Sequence, residues 1–389
     1  MKRLSPRVEG LTASATLDVV SRATCLKQKG VDVVNFGAGE PDFETPRHIK
    51  QAAVRALEEN FTRYTPATGI QELKEAICQK FKEDNALSYE PSQVCVSCGA
   101  KHALYNLLQV LCGDGDEVIF GNPYWVSYPE MVRLAGATPR QVSTREENRF
   151  LPMAEDLSKV LTAGTKVILL NSPSNPVGSL YSFEELKAIA DLVVTHDLFL
   201  ISDEIYEKIT FGKRHVSPAS LGREIYDRTM TVSGVSKTYA MTGFRIGYLA
   251  GPLSIVKAVG NLQSHSTSNP TSLSQKAATE ALKGDQSEVD KMVEHFKRRR
   301  DILYRGLKEI PGLDPIFPEG AFYIFCKISA LGLPSSELAM RWLDEAHVAV
   351  VPGEGFGRGD YVRFSFAADE RSLREGLHRI KAWVERHAS

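Results

Sequence analysis

The stretch T-V-S-G-V-S-K-T-Y-A-M-T-G-F-R-I-G-Y, residues 231–248, is the most informative part of the chain. Lys237 directly follows a predicted strand, so its amine is expected at the edge of a sheet where ligands bind. A lysine there forms an imine with an aldehyde when burial and a nearby cation lower its pKa. Arg245 and the Ser236 hydroxyl are placed to hold a phosphate beside that imine. Taken alone, a lysine after a strand is more often a surface residue, so both interpretations stay open here.

On either side of this stretch, residues 45–285 alternate between helical spacing and short apolar runs. Strands with little apolar/polar alternation, separated by helices, predict an α/β fold whose mostly parallel sheet is covered on both faces. Helices are predicted at Lys101–Leu111 and Phe183–His196. The predicted strands are Gln93–Ser97, Glu117–Phe120, Val167–Leu170, Leu198–Ser202, Thr229–Ser233 and Gly247–Ala250.

The alternation of apolar runs and helical spacing ends near residue 286. A long charged helix is predicted over Ser287–Ile310, followed by strand-like pieces at Ala321–Lys327 and Tyr361–Phe366. We therefore expect a large domain over residues 45–285 and a smaller α+β domain over residues 286–389. Residues 1–44 are expected to form an N-terminal segment that packs with the smaller domain.

Three further loops follow predicted strands and carry polar residues. Asp203 ends the run LFLISD, where a carboxylate either caps a helix or keeps a pyridine nitrogen protonated, and Tyr206 follows three residues later. Asn175 lies in the loop N-S-P-S-N-P-V-G, which is either a plain turn or a holder of an amide against a ligand. The turn at residues 97–101, S-C-G-A-K, opens a helix, and helix N-termini favour phosphate.

Composition and charge exclude several classes of function. The chain has 389 residues, is 43% hydrophobic and has a net charge of -1, so no global field recruits nucleic acid. No apolar run reaches the roughly 18 residues that a membrane span needs, and no secretory signal is recognised. Cys95 and Cys98 form a CxxC without a second pair at metal spacing, so we expect no metal site. The sparse cysteines predict a cytoplasmic protein.

Together these loops resemble the fold-type I aminotransferases that depend on pyridoxal 5'-phosphate (PLP), specifically the aspartate aminotransferase family. The resemblance runs from Ser14 to Phe366 and implies that family's fold, a large mostly parallel sheet plus a smaller α+β domain. Its landmarks occur in family order: AGEPDF (38–43), RYTPATG (63–69), NPYWVSYPEM (122–131), SNPVG (174–178), SDEIYE (202–207), SGVSKTYAMTGFRIGY (233–248), EGAFYIF (319–325) and VRFSF (362–366).

The resemblance implies a role for each matching residue. Lys237 is the Schiff-base lysine and proton carrier, Asp203 pairs with the pyridine nitrogen, and Tyr206 contacts the ring 3-oxygen. Asn175 contacts the same oxygen and lies near the substrate carboxylate, and Trp125 stacks on the ring. The residues expected to surround the cofactor phosphate are Gly99, Ala100, Lys101, Ser236, Arg245 and, from the neighbouring subunit of a homodimer, Tyr64. The residues expected at the substrate α-carboxylate are Arg363 and the backbone of Gly39.

One departure from the family pattern concerns the phosphate. Many relatives carry a serine three residues before the lysine, and this chain has Gly234 there. Hydroxyls remain nearby at Ser233 and Ser236, so cofactor binding is still expected.

Residues that select the substrate side chain favour a dicarboxylic amino acid. One branch of the family uses an arginine from the partner subunit, and the matching region, residues 263–270, has none. A bacterial and plant branch uses instead a lysine at the helix start with hydroxyls from an S-A-T segment, which Lys101, Ser14 and Thr16 match. We expect transfer between aspartate or glutamate and 2-oxoglutarate or oxaloacetate. An aromatic or kynurenine-type aminotransferase, a prephenate aminotransferase and a carbon–sulfur lyase are the alternatives.

Overall fold

The computed structural model describes residues 5–11 and 15–387, and its largest sheet has seven strands. The strands of the described chain are β1 (Val34–Asn35), β2 (Val94–Ser97), β3 (Glu117–Asn122), β4 (Thr138–Ser143), β5 (Thr165–Asn171), β6 (Phe199–Asp203), β7 (Thr229–Gly234), β8 (Gly247–Ala250), β9 (Asp314–Pro315), β10 (Tyr323–Lys327), β11 (Val348–Ala349), β12 (Val351–Pro352) and β13 (Tyr361–Ser365). The seven strands of the largest sheet lie in the order β2-β8-β7-β6-β5-β3-β4.

Helices cover both faces of this sheet and continue into the C-terminal part of the chain. In the part that the structure describes, they are α1 (Pro6–Glu9), α2 (Ala15–Gln28), α3 (Arg47–Glu58), α4 (Gln71–Asn85), α5 (Ala100–Leu111), α6 (Tyr128–Leu134), α7 (Ala154–Ser158), α8 (Phe183–Thr195), α9 (Arg223–Tyr226), α10 (Leu253–Ser264), α11 (Ser272–Lys283), α12 (Ser287–Lys308), α13 (Ser335–Glu345) and α14 (Glu370–His387). None of these helices is both long and apolar enough to cross a membrane.

The seven-stranded sheet confirms the predicted α/β fold. β4, β3, β5, β6 and β7 pair in parallel, while β8 is antiparallel to both β7 and β2. Successive residues of β5 enter different cores: Val167 and Leu169 pack on one face of the sheet, Ile168 and Leu170 on the other. Because both faces are buried, such a strand reads as a continuous apolar run.

A second, four-stranded antiparallel sheet lies in the C-terminal part, in the order β12-β13-β10-β9. The predicted strands there are confirmed, with β10 beginning two residues later than expected. The N-terminal segment contacts this part, because β1 pairs in parallel with β11 and Arg22 forms a 2.8 Å ion pair with Asp344. The division into domains at residues 44/45 and 285/286 stays a prediction.

The sheet register determines which loops meet. Asn171, the last residue of β5, lies opposite Asp203, the last residue of β6, and Asp203 lies opposite Val232 of β7. Parallel strands that end at the same level bring the loops that follow them to one edge. The polar loops picked out from the sequence are therefore neighbours in space.

Candidate active site

A cavity of about 280 Å³ opens at this edge of the sheet. The start of α5 and the loops that follow β3, β5, β6 and β7 line it, together with the N-terminal segment, β10 and β13. The predicted residues among its lining are Gly39, Ala100, Lys101, Trp125, Asn175, Asp203, Tyr206, Ser236, Lys237, Arg245 and Arg363. Residues more than 300 positions apart in the chain thus share one site.

Lys237 projects into the cavity just after β7, and its Nζ donates a 2.6 Å hydrogen bond to the carbonyl of Gly39. Burial lowers the pKa of Lys237 to about 8, opposed by the charge of Glu40 and reinforced by Arg245 and Arg363. With that pKa, about a tenth of the amines are neutral at pH 7, far more than for an ordinary lysine. The site therefore prepares a nucleophilic amine.

Asp203 lines the cavity and is 3% exposed. Tyr128 donates a 2.7 Å hydrogen bond to its Oδ2, and the backbone N–H of Ile205 donates to its Oδ1 at 3.3 Å. Burial raises the pKa of Asp203 to about 6, and the two donors limit that rise. Asp203 is therefore mostly ionised at neutral pH and can accept a hydrogen bond from a protonated ring nitrogen.

Arg363 is a buried cation that lines the same cavity. Its Nη1 donates to Asn175 Oδ1 at 3.0 Å and its Nη2 to the carbonyl of Gly37 at 3.2 Å, while its Nε has no partner among the described residues. The guanidinium lies 4.2 Å from the Tyr323 ring centre. Burial lowers the pKa of Arg363, and no described carboxylate forms an ion pair with it. A buried guanidinium without a carboxylate partner in the described chain is suited to bind the carboxylate of a ligand.

A third group of residues forms the end of the cavity nearest the start of α5. Gly99 has φ +91°, and a Cβ there would overlap the Arg245 guanidinium, so only glycine lets the arginine approach the helix N-terminus. Lys101 lies on the first turn, with its Nζ 4.9 Å from the Trp125 ring centre. Partial burial, followed by the charge of Arg245, lowers the pKa of Lys101. Helix N-terminus and guanidinium together form a site for a dianion.

The two hydroxyls expected to replace the missing serine behave differently. Ser236 lines the cavity. Ser233 does not, because its Oγ donates a 2.7 Å hydrogen bond to the buried Glu207. At Gly234 a Cβ would lie 3.0 Å from Gly247 Cα and 3.1 Å from the Ile246 carbonyl, so the chain packs tightly where relatives carry serine. Of the two hydroxyls, only that of Ser236 therefore lines the cavity.

Three residues in the cavity lining or next to it were not assigned from the sequence. Tyr128 bonds to Asp203, Tyr323 lies 3.0 Å from the Tyr206 hydroxyl, and Asn171 bonds to both neighbouring loops. All three lie inside or beside the quoted motifs NPYWVSYPEM, EGAFYIF and NSPSNPVG. Their position inside a motif was the available signal, but their partners depend on tertiary contacts.

Other predicted site residues lie outside the cavity. Gly99 does not line the cavity itself but contacts Arg245, which does. Tyr64 is 90% exposed, away from the cavity of its own chain. Ser14 falls outside the described residues, and Thr16 lies in α2 with a side chain that is likewise outside the description.

The cavity fits pyridoxal phosphate. Four cationic side chains line it, Lys101, Lys237, Arg245 and Arg363, against the carboxylate of Asp203. An ionised acid, a reactive amine and an anion site at the helix N-terminus match a ring nitrogen, an aldehyde and a phosphate. The unpaired Arg363 leaves room in that charge pattern for the carboxylate of a second ligand.

Comparison with known proteins identifies the family. Residues 31–380 match the model of the family described as aminotransferase class I and II. An aspartate aminotransferase of Bacillus subtilis is 48% identical over 392 residues, covering 99% of this chain and 100% of the relative. An aspartate/prephenate aminotransferase of Thermus thermophilus is 45% identical, with 98% of each chain covered. The structure of Thermus thermophilus aspartate aminotransferase with maleate superposes with a TM-score of 0.95 at 44% identity, covering 98% of this chain and 100% of that one. The chain therefore belongs to the class I and II aminotransferases and is a pyridoxal-phosphate enzyme.

Proposed function

We propose that this enzyme moves an amino group between aspartate or glutamate and 2-oxoglutarate or oxaloacetate by a ping-pong mechanism. The observation that carries the proposal is the pair of cations without carboxylate partners in the described chain, Arg363 and Lys101, which line the same cavity. One amino-acid carboxylate suits the buried arginine, and a second carboxylate suits the lysine. The names of the relatives from Bacillus subtilis and Thermus thermophilus support the same substrate.

The cofactor residues would act as follows. Arg245, Ser236 and the start of α5 would hold the phosphate, and Trp125 would pack against the pyridine ring. When bound, the cofactor supplies an electron sink for the electrons left at the substrate Cα. Asp203 would keep the ring nitrogen protonated, and Tyr206 would donate a hydrogen bond to the ring oxygen.

Lys237 would move the proton. Its pKa of about 8 lies close to neutral pH, so the amine can both accept a proton from the substrate Cα and donate it again. Arg363 and Asn175 would hold the α-carboxylate in the cavity that the Lys237 amine also lines. Gly39, whose carbonyl already accepts from Lys237, lies beside that carboxylate.

We also propose a cytoplasmic homodimer with shared active sites. Tyr64, exposed in the single chain, would reach the phosphate bound in the partner subunit. Six free cysteines, with no disulfide among the described residues, support a reducing compartment.

Replacing Lys101 and Arg363 separately tests the substrate proposal. Arg363→Ala should lower kcat/KM for aspartate and phenylalanine alike, because every amino acid carries the α-carboxylate. Lys101→Ala should lower kcat/KM for aspartate by about 30-fold or more, the effect of about 2 kcal/mol at a charge pair, and largely spare phenylalanine. Both rates are measured at saturating PLP, with the exposed Lys159→Ala as the matched control.

Each other outcome selects a different role for Lys101. Equal losses for both substrates, with weaker PLP binding, would make it a phosphate ligand. An unchanged aspartate-to-phenylalanine ratio would remove the main support for a dicarboxylic substrate. Better turnover of prephenate or an aromatic oxo acid than of oxaloacetate would favour the alternatives named above.

A further inference from the structure

One side chain ties together two loops of the active site. Asn171 is the last residue of β5 and lines the cavity. Its Nδ2 donates a 3.0 Å hydrogen bond to the carbonyl of Asp203, and its Oδ1 accepts a 2.8 Å hydrogen bond from the backbone N–H of Asn175. One planar amide thus contacts the backbones of both residues that face the ligands from neighbouring strands.

The contacts continue on both sides of this bridge. On one side Asn175 contacts Arg363, whose Nη1 donates a hydrogen bond to Asn175 Oδ1 at 3.0 Å. At the other end Asp203 holds its carboxylate against Tyr128. Arg363 and Asp203 are therefore joined by hydrogen bonds through two intervening residues, Asn175 and Asn171.

The two arms of the bridge are not equivalent. The carbonyl of Asp203 also accepts from the backbone N–H of Ser172 at 3.1 Å, so it keeps a partner without Asn171. Among the described residues, Asn171 Oδ1 is the acceptor for the N–H of Asn175. Removing Asn171 would therefore disturb Asn175 and Arg363 more than Asp203.

We infer that Asn171 is a positioning residue that fixes Asn175, and through it Arg363, relative to Asp203. The inference rests on the proposed role of Arg363 as the α-carboxylate ligand. Asparagine suits the position because its short amide offers a donor and an acceptor in one plane, whereas aspartate there would oppose two oxygens.

The test uses maleate as a non-reacting dicarboxylate, with its binding to the PLP-loaded enzyme measured by calorimetry. Asn171→Ala should weaken maleate about tenfold, roughly the effect of one lost hydrogen bond to a charge-binding unit. KM should rise similarly for aspartate and phenylalanine. The affinity of the cofactor-free protein for PLP, followed by Trp125 fluorescence, should change less than threefold, roughly 0.6 kcal/mol. Asn122→Ala is the matched control, because Asn122 ends the neighbouring strand β3 but bonds to Gln141.

A double-mutant cycle with Asn175→Ala separates positioning from general stability. If Asn171 acts through Asn175, the maleate loss caused by Asn171→Ala should nearly vanish in the Asn175→Ala background. Fully additive losses, or an Asn171→Ala enzyme with unchanged maleate affinity and KM, would overturn the inference. Should Asn171→Ala fail to fold, Asn171→Gln keeps a neutral amide but moves it by one methylene, so it should weaken maleate as well; unchanged maleate affinity in Asn171→Gln would overturn the inference. Wild-type protein that handles phenylalanine but neither aspartate nor maleate would overturn the dicarboxylic substrate instead, and the cycle would then be read from KM for phenylalanine.

Discussion

The lysine at the centre of the active site should destabilise the cofactor-free protein. Burial lowers the pKa of Lys237 to about 8, so its protonated form is less stable in the folded protein than in the unfolded chain. Between pH 8 and 10.5 the folded protein binds fewer protons than the unfolded chain, so this destabilisation is present at pH 7 and is relieved as pH rises through that window. Lys237→Met removes the charge with little change in volume and should remove the pH-dependent term.

The magnitude follows from the pKa values. With 10.5 for the unfolded chain and about 8 for the folded protein, linkage gives about 3 kcal/mol at pH 7 and about 1 kcal/mol at pH 10. These values are upper bounds, because the lysine faces a cavity that water can enter. The variant also loses the hydrogen bond to Gly39, but that loss is nearly independent of pH while the donor is present in both forms of the amine.

Guanidinium unfolding of the cofactor-free proteins at pH 7 and pH 10 measures both values. The free energy of unfolding of Lys237→Met, relative to wild type, should be higher at pH 7 than at pH 10 by up to about 2 kcal/mol. Lys159→Met, at an exposed position, should show no such difference. A stability difference that stays constant or grows with pH would refute a depressed lysine pKa, and with it the account of how the amine is kept reactive.

Three further predictions concern Asp203, the buried pair Lys80–Glu207 and the contact between subunits. Asp203→Asn should retain PLP yet remove the substrate Cα proton orders of magnitude more slowly in single-turnover mixing with aspartate, and an unchanged rate would reduce Asp203 to a structural residue. Burial raises the pKa of Glu207, but the charge of Lys80 outweighs burial and lowers that pKa to about 2. Lys80→Met should therefore lower the free energy of unfolding by about 3–5 kcal/mol at pH 7, and by less as pH falls from about 4.5 toward 2. Guanidinium unfolding at several pH values measures both effects. Sedimentation should give a species near twice 43.0 kDa, and a fully active monomer would contradict the shared site. Tyr64→Phe should weaken PLP binding while the protein remains a dimer.

The parts of the fold that the sequence predicted well are those with the simplest physical signal. β5 and β6 are buried on both faces and therefore appear as uninterrupted apolar runs, whose predicted ends agree with the structure to within two residues. The edge strand β4, T-P-R-Q-V-S, was missed, because only Val142 in it is buried. Two-residue strands such as β1 and β11 carry no periodic pattern at all.

The site was predictable where a residue acts through its position at a strand end. Lys237, Asp203 and Asn175 follow buried strands, so the topology of a parallel sheet brings them together. Side-chain partners were not predictable in the same way. Ser233 and Ser236 are three residues apart, yet one bonds to buried Glu207 behind the sheet and the other lines the cavity. Which side a hydroxyl faces after a strand ends depends on the local turn, which hydropathy does not report.

The charge pattern of the cavity links its stability to its ligands. Cations without carboxylate partners in the described chain, a buried Arg363 and a half-buried Lys237 among them, are unfavourable until anions neutralise them. A protein that paired each of them internally would be more stable but would have to break those pairs to bind a phosphate or a carboxylate. Neutral partners such as Asn175 and the carbonyl of Gly37 instead fix the position of Arg363 and leave its charge unneutralised. Bound anions then supply the missing negative charges. The cations that lower the free energy of unfolding of the ligand-free protein therefore raise it in the ligand-bound protein.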